Sequence, residues 1–329
     1  MRCRAFSVFL TPMRSLLLSL VASFTLQMPT IAADGGLFVA VGYAGRRISS
    51  TDGATWQHDQ RWSDTAADDD NVLFNIAHGL GRFVAVGGGA AIGHIVTTKD
   101  GKTWEELPQV KGRVATIAFG NGRFIAGHGN ELLYSTDGTT FQAGAKLGIE
   151  GSVHARRSAF GGGEAGPRVV IIGEVDQWTT KTRVGWRATT EDGTRMTSVD
   201  VETPMASDVA FGSGHFVIVG PKGLIESSHD GHTWKRHAAP ETEVFSRVAW
   251  TGSRFLVTGG STTWSSPDAL HWSAEKKSIP GGIAWAREGF LGLSLSWGGN
   301  IHVSKDLLEW KKSTIPPGPS LEAIAYGKP

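Results

Sequence analysis

Two arginines and two acids stand at or beside equivalent points of one repeated phrase. Asn75, Thr116, Arg157, Asp208, Arg247, Gly282 and Ala323 each precede an Ile/Val/Ser-Ala step, with Arg156 and Glu322 adjacent. Asp208 and Glu322 are candidate catalytic residues, because a pair of carboxyls at the right separation cuts glycosidic bonds by acid/base or nucleophilic chemistry. Arg157 and Arg247 suit a carboxylate or phosphate, since the guanidinium fork matches their oxygens. Asn75 adds a hydroxyl-binding amide. The same charges would equally serve as ion pairs around a water-filled channel, and residue types alone leave both possibilities open.

These side chains owe their placement to a repeat. A second phrase marks it: STDGATW at 50–56, TKDGKTW at 98–104, STDGTTF at 135–141, TEDGTRM at 190–196, SHDGHTW at 228–234, SPDALHW at 266–272 and SKDLLEW at 304–310. The last four of the aspartates Asp52, Asp100, Asp137, Asp192, Asp230, Asp268 and Asp306 recur every 38 residues, and the earlier gaps of 48, 37 and 55 are the same unit with insertions. Each part of the phrase suits a tight turn: the carboxylate takes turn amides, Gly supplies positive φ, and the aromatic packs beneath. The seven aspartates are therefore read as structural. The last two copies lack Gly and the fourth lacks its aromatic, so looser or differently built hairpins are expected there.

Upstream of each turn, segments such as VATIAFGNGRFIAGHG at 114–129 read as two more strands around a Gly-rich turn. Four strands per unit, repeated at this period, specify a β-propeller. GGLFVAVG at 35–42 is a second strand lacking a first, and SLEAIAYGKP at 320–329 is a first strand lacking a second. The expected fold is all-β: a seven-bladed propeller of four-stranded blades over 34–329, its ring closed by pairing the C-terminal strand with the N-terminal blade.

The S/T-x-D-G-x-T-W phrases resemble the Asp-box, or BNR, repeat of sialidases, xyloglucan-degrading glycosidases, sortilin-type receptors and photosystem II assembly factors. The resemblance covers essentially residues 34–329 and implies the propeller fold; the repeat serves enzymes, receptors and assembly factors alike. Sialidases add an Arg-Ile-Pro phrase, an arginine triad and a tyrosine nucleophile. The chain lacks that phrase, and of Tyr43, Tyr134 and Tyr326 only Tyr43 is free of a repeat position, so no catalytic residue is carried over.

Strands that alternate in direction put the Asp turns and Gly-rich turns on one face, and the second-to-third-strand loops and blade connections on the other. Both long insertions fall on this variable face: QHDQRWSDTAADDDN at 57–71 and EVDQWTTKTRVGW at 174–186. Trp62, Trp178, Trp186, Trp264 and Trp297 have no framework position and are expected near it, where exposed aromatics stack on sugars or anchor proteins. Covering the blade tops is the plainer role for them.

The first 33 residues carry Arg2, Arg4 and Arg14 before an apolar run from Ser15 to Leu26 and end Ile31-Ala32-Ala33, the pattern of a secretory signal cut after Ala33. That run is shorter than the roughly 20 residues of a spanning helix, so no membrane span is expected after signal removal. The expected location is periplasmic or extracellular. Cys3 is the only cysteine, which excludes thiol catalysis and disulfides from the exported chain. With the three signal arginines gone, the acidic residues, 31, slightly exceed the basic ones, so no nucleic-acid partner is expected. No cofactor fingerprint is present. His94 and His128 do not form a metal motif and Asp68-Asp69-Asp70 reads as a solvated loop, so no metal is expected. A monomer is expected.

Two functional readings follow. The first is an exported, non-catalytic propeller binding a protein partner or a glycan through its variable face, as an assembly or scaffold factor. The alternative is a carbohydrate-active hydrolase or lyase with its site at the mouth of the central channel.

Overall fold

Segments such as Phe38-Val39-Ala40-Val41 and Phe83-Val84-Ala85-Val86 are apolar on both faces, a pattern a strand satisfies only when layers pack on either side of it. The computed structural model, which describes residues 35–65, 68–163, 166–259, 262–275, 279–287, 291–296 and 298–329, places such layers there. Phe38 and Ala40 pack with Leu293 and Ile301 of blade seven, whereas Val39 and Val41 pack with Leu73, Ile76 and Phe83 of blade two. The cores lie in the seams between neighbouring blades. The proposed signal over 1–33 and Trp297 fall outside the described residues.

The chain is an all-β, seven-bladed propeller of antiparallel four-stranded sheets. Blade one takes its inner strand, Leu321–Gly327, from the C-terminal end and pairs it with Leu37–Gly42, with Phe38 opposite Tyr326 and Val41 opposite Ala323. Inner strands Leu73–Gly79, Val114–Gly120, Ser152–Gly163, Asp208–Gly212, Arg247–Trp250 and Gly282–Arg287 pack in succession, and the last meets Leu321–Gly327. Blade two gains an extra short strand, Val110–Lys111, on the inner end of Ile92–Thr98.

The recurrent aromatic-Gly step has a steric cause. At the end of the inner strands of blades three, four and five the ring from the next blade lies on the glycine: a Cβ at Gly120 would sit 1.8 Å from Phe160, at Gly161 2.1 Å from Phe211, and at Gly212 2.2 Å from Trp250. The aromatic of one blade thus needs the glycine of the blade before it.

The Asp turns are built as the phrase suggests. In the first, Asp52 Oδ1 accepts the amides of Ala54 and Thr55 at 2.9 and 2.8 Å, Ser50 Oγ accepts the Gly53 amide at 2.9 Å, and the Trp56 indole donates to Gly53 O at 3.0 Å. The final two turns are differently built in part: Ser266 Oγ and Ser304 Oγ bond the Asp268 and Asp306 carboxylates at 3.1 and 3.0 Å, without the glycine amide that Ser50, Thr98, Ser135, Thr190 and Ser228 accept in the other turns. Ala269 and Leu307 take the left-handed glycine position at φ 65° and 61°, and Asp268 and Asp306 each still accept two amides at 2.8–2.9 Å. The fourth turn is the looser one: Asp192 Oδ1 holds a single backbone amide, that of Thr194, besides the Thr194 hydroxyl. Amide donation from Thr103, with Lys102 and Thr98 adding to it, holds the Asp100 carboxyl at about 2.

Candidate functional site

The inner strands bring Arg157, Asp208, Arg247 and Glu322 to the loop-bearing mouth of the ring, from blades four, five, six and one. They are not equivalent there. Asp208, 8% exposed, accepts its neighbour's amide, Val209 N, at Oδ1 and the amide of Val248 in blade six at Oδ2, both at 3.0 Å. Its charge is spent on the seam. Asn75 has a similar occupation: its amide donates to Thr116 Oγ1 at 3.1 Å, and Thr116 in turn bonds Ser158 Oγ at 2.8 Å, a chain across blades two, three and four.

The arginines are held more loosely. Arg157 Nε lies 3.9 Å from Asp208 Oδ1, and Nη1 donates to its neighbour's carbonyl, Arg156 O, at 3.1 Å. Burial, and then the like charge of Arg247, draw the Arg157 guanidinium down to about 10 against the pull of Asp208 and Glu322. Arg247 crosses the first strand of blade seven to donate to Glu322 O at 3.3 Å. Gly282 permits this, because a Cβ there would stand 2.4 Å from Arg247 Cγ. Burial raises the Glu322 carboxyl while Arg247 and Arg157 lower it. Tyr43 shares this rim; burial, then Glu322 and Asp69, raise its phenol, opposite to what a phenolate nucleophile needs.

The unassigned tryptophans divide. Trp178, in the hairpin between Gly166–Asp176 and Arg183–Thr190, is 74% exposed. Trp186, expected with it on the variable loop, is 1% exposed inside the blade-three/four seam, its indole donating to Glu174 O at 3.0 Å. That expectation is corrected: the strand starts at Arg183, so alternation turns Trp186 inward. Trp62 covers Gly45, stacks on His94 at 4.5 Å, has the Arg47 guanidinium at 4.9 Å, and donates to the Glu106 carboxylate. Trp264 packs edge-on to Phe245 at 6.1 Å in the blade-five/six core.

One feature was not visible in the sequence. A cleft of about 710 Å³ opens at the tops of blades two to four, lined by Lys111, Arg113, Lys146, His128, Glu131 and His154 among others. His128 is satisfied at both nitrogens, by Glu131 at 3.2 Å and Lys111 O at 2.8 Å. Among the described residues no group of three or more His, Cys, Asp or Glu is placed to hold a metal, and no helix is long and apolar enough to cross a membrane. The arrangement can grip an anionic group at the mouth, while the exposed Trp178 stands at the tip of the blade-four hairpin.

No protein-family model matches the chain, and no curated protein matches it. Solved structures match in shape. The WD40 β-propeller domain of Doa1 superposes with a TM-score of 0.52 at 13% identity, covering 80% of this chain and 84% of that one. Saccharomyces cerevisiae Sqt1 gives 0.48 at 13% identity over 73% of each chain. The computationally designed Ika8 protein gives 0.48 at 10% identity, over 82% and 80%. At these identities the likeness is one of fold, and what it establishes is that the chain is a seven-bladed β-propeller with WD40-type propellers among its structural neighbours.

Proposed function

We propose that this chain is an exported, non-catalytic propeller that binds a protein partner on its loop-bearing face, as an assembly or scaffold factor of the kind its Asp turns resemble. Arg157 and Arg247 receive an anionic group of the partner at the channel mouth, and Trp178 supplies an aromatic anchor. One observation carries the reading: both carboxylate oxygens of Asp208 hold backbone amides, leaving two lightly paired guanidiniums at the mouth. A glycosidase needs two carboxyls free to exchange protons or attack. Asp208 gives up seam bonds if it does either.

The test is a panel of glycans and envelope proteins offered to the purified mature chain, with Arg157→Gln/Arg247→Gln and Trp178→Ala as variants. Binding of a protein lost in both variants, with no product released from any glycan, is expected. Release of product that stops on Asp208→Asn or Glu322→Gln would replace this reading with the carbohydrate-active enzyme. Binding of a glycan without turnover, lost in Trp178→Ala, would make it a lectin-like module.

A further inference from the structure

On the opposite face, beside the Asp turns, three consecutive seams share one device. In blades two, three and four an arginine at or just inside the start of the second strand, Arg82, Arg123 and Arg168, reaches the Asp turn of the next blade. Arg82 lies against Gly138, its Cδ 2.6 Å from where a Cβ would be. Arg123 Nη1 donates to Asp192 O at 3.5 Å, and Arg168 Nη1 donates to Asp230 O at 2.6 Å. The parts of a guanidinium socket recur in these seams: a turn glycine lies against the stems of Arg82 and Arg168, and a turn carbonyl takes the heads of Arg123 and Arg168.

The blade-five/six seam breaks the series. His215 stands where the arginine would, and its ring turns back to its own blade: Nδ1 bonds Ser213 O at 2.9 Å and the ring stacks on His229 at 3.7 Å. A carbonyl partner at Nδ1 places the proton there and leaves Nε2 an acceptor. That Nε2 is buried and has no hydrogen-bond partner, and the side chain as a whole is only 7% exposed. Among the described residues the carbonyl of Asp268, equivalent to those of Asp192 and Asp230, accepts no hydrogen bond either. Where the missing arginine would run, a cleft of about 240 Å³ opens between the blades, lined by His215, Asp230, Thr233, Trp234, Lys235 and Leu270. The blade-one/two seam is the apolar counterpart: Leu37 fills the arginine position, and Lys102, at the place of Leu270, lines its cleft of about 250 Å³.

We infer that the blade-five/six seam is an open guanidinium socket, which takes an arginine side chain from a partner protein in the place other seams fill from within. Two acceptors lacking donors, His215 Nε2 and Asp268 O, match a group with five N–H donors and no acceptor. Trp234 offers the apolar wall, and across the blade-four/five seam it already carries the Arg187 guanidinium at 4.9 Å. This surface lies across the ring from the channel mouth, so it stands or falls independently of the function proposed above.

The experiment titrates N-acetyl-L-arginine methylamide, with the uncharged citrulline analogue as control, into the full mature chain labelled with 15N-histidine. The expected result is a saturable shift of the His215 signal with the arginine probe alone. His215→Arg should abolish binding and raise Tm, because the chain then fills its own socket. Leu270→Lys, at a position 39% exposed and copying Lys102, should leave the fold intact and weaken binding by about tenfold through like-charge repulsion. An equal response to citrulline, no saturable shift at all, or undiminished binding in Leu270→Lys overturns the proposal. So does a His215 signal that ignores the arginine probe and moves with Ni²⁺, which would assign the two imidazoles to a metal.

Discussion

Asp208 in blade five and Val248 in blade six are joined by a hydrogen bond of 3.0 Å from the Val248 amide to the buried carboxylate. Side chain and backbone thereby tie two blades at the axis, in the place where a glycosidase would keep a free acid. The companion seam six/seven uses a neutral version, Thr258 Oγ1 accepting the Ile283 amide at 3.0 Å.

Asp208→Ala should therefore act on stability before it acts on any ligand. It strands two amides, Val209 N and Val248 N, at a cost of about 1–3 kcal/mol for a buried unsatisfied group. Urea unfolding measures this. A variant as stable as the wild type would return Asp208 to the pool of free acids.

Gly161→Ala should be far worse than Gly162→Ala. The first drives a methyl into the ring of Phe211 at 2.1 Å, whereas the second meets only Pro167 Cα at 3.8 Å. Overpacking costs about 1–3 kcal/mol, and an open surface site changes by no more than about 0.5 kcal/mol. Thermal melts of the two variants side by side decide it.

The two blade-four tryptophans should separate stability from binding. Trp186→Ala empties a fully buried site and should cost about 3–5 kcal/mol. Trp178→Ala removes a ring that is 74% exposed and should leave Tm unchanged while weakening the partner. Loss of stability in the second variant would place Trp178 in the framework.

Acid should loosen the turns. Asp100 falls from 3.8 to about 2, through amide donation from Thr103 first, and Asp230 also to about 2, where bonds from Thr233 and His232 outweigh burial. A folded value below the unfolded one gives stabilisation that is complete above the unfolded value. It is lost as pH falls through about 2. Tm should drop across that window, and Asp100→Asn should drop less steeply because one of the turn carboxylates no longer titrates. Parallel curves for the two proteins would contradict the turn chemistry.

The fold was legible because its signals are local and repeated. An Asp in seven turns, with Gly in five of them and an aromatic in six, and a strand phrase divided between Leu37–Gly42 and Leu321–Gly327, need no knowledge of packing. The site was legible only as a list of candidates. Asp208 looks like Glu322 in sequence, and only the position of the Val248 amide distinguishes a seam clamp from a free acid. Trp186 was misplaced because a strand boundary a few residues earlier than the loop suggests reverses which way a side chain points. Gly282 gave no sign that it clears a path for Arg247. Ala269 and Leu307 alter their turns as expected, by leaving the Ser hydroxyl without the turn amide, yet the carboxylate network holds a left-handed residue in place without glycine.

The division of blade one between the two ends of the chain also sets an order of events during synthesis. Leu37–Gly42 leaves the ribosome well before its inner-edge partner Leu321–Gly327, which lies six blades further along the chain. Until then that strand offers unpaired amides and carbonyls to any matching strand, and the best match in a crowded polysome is the same segment of another copy. Closure is thus a race between a chain's own Leu321–Gly327 strand and its neighbour's, and slow translation between the two paired segments favours the exchange of strands between molecules.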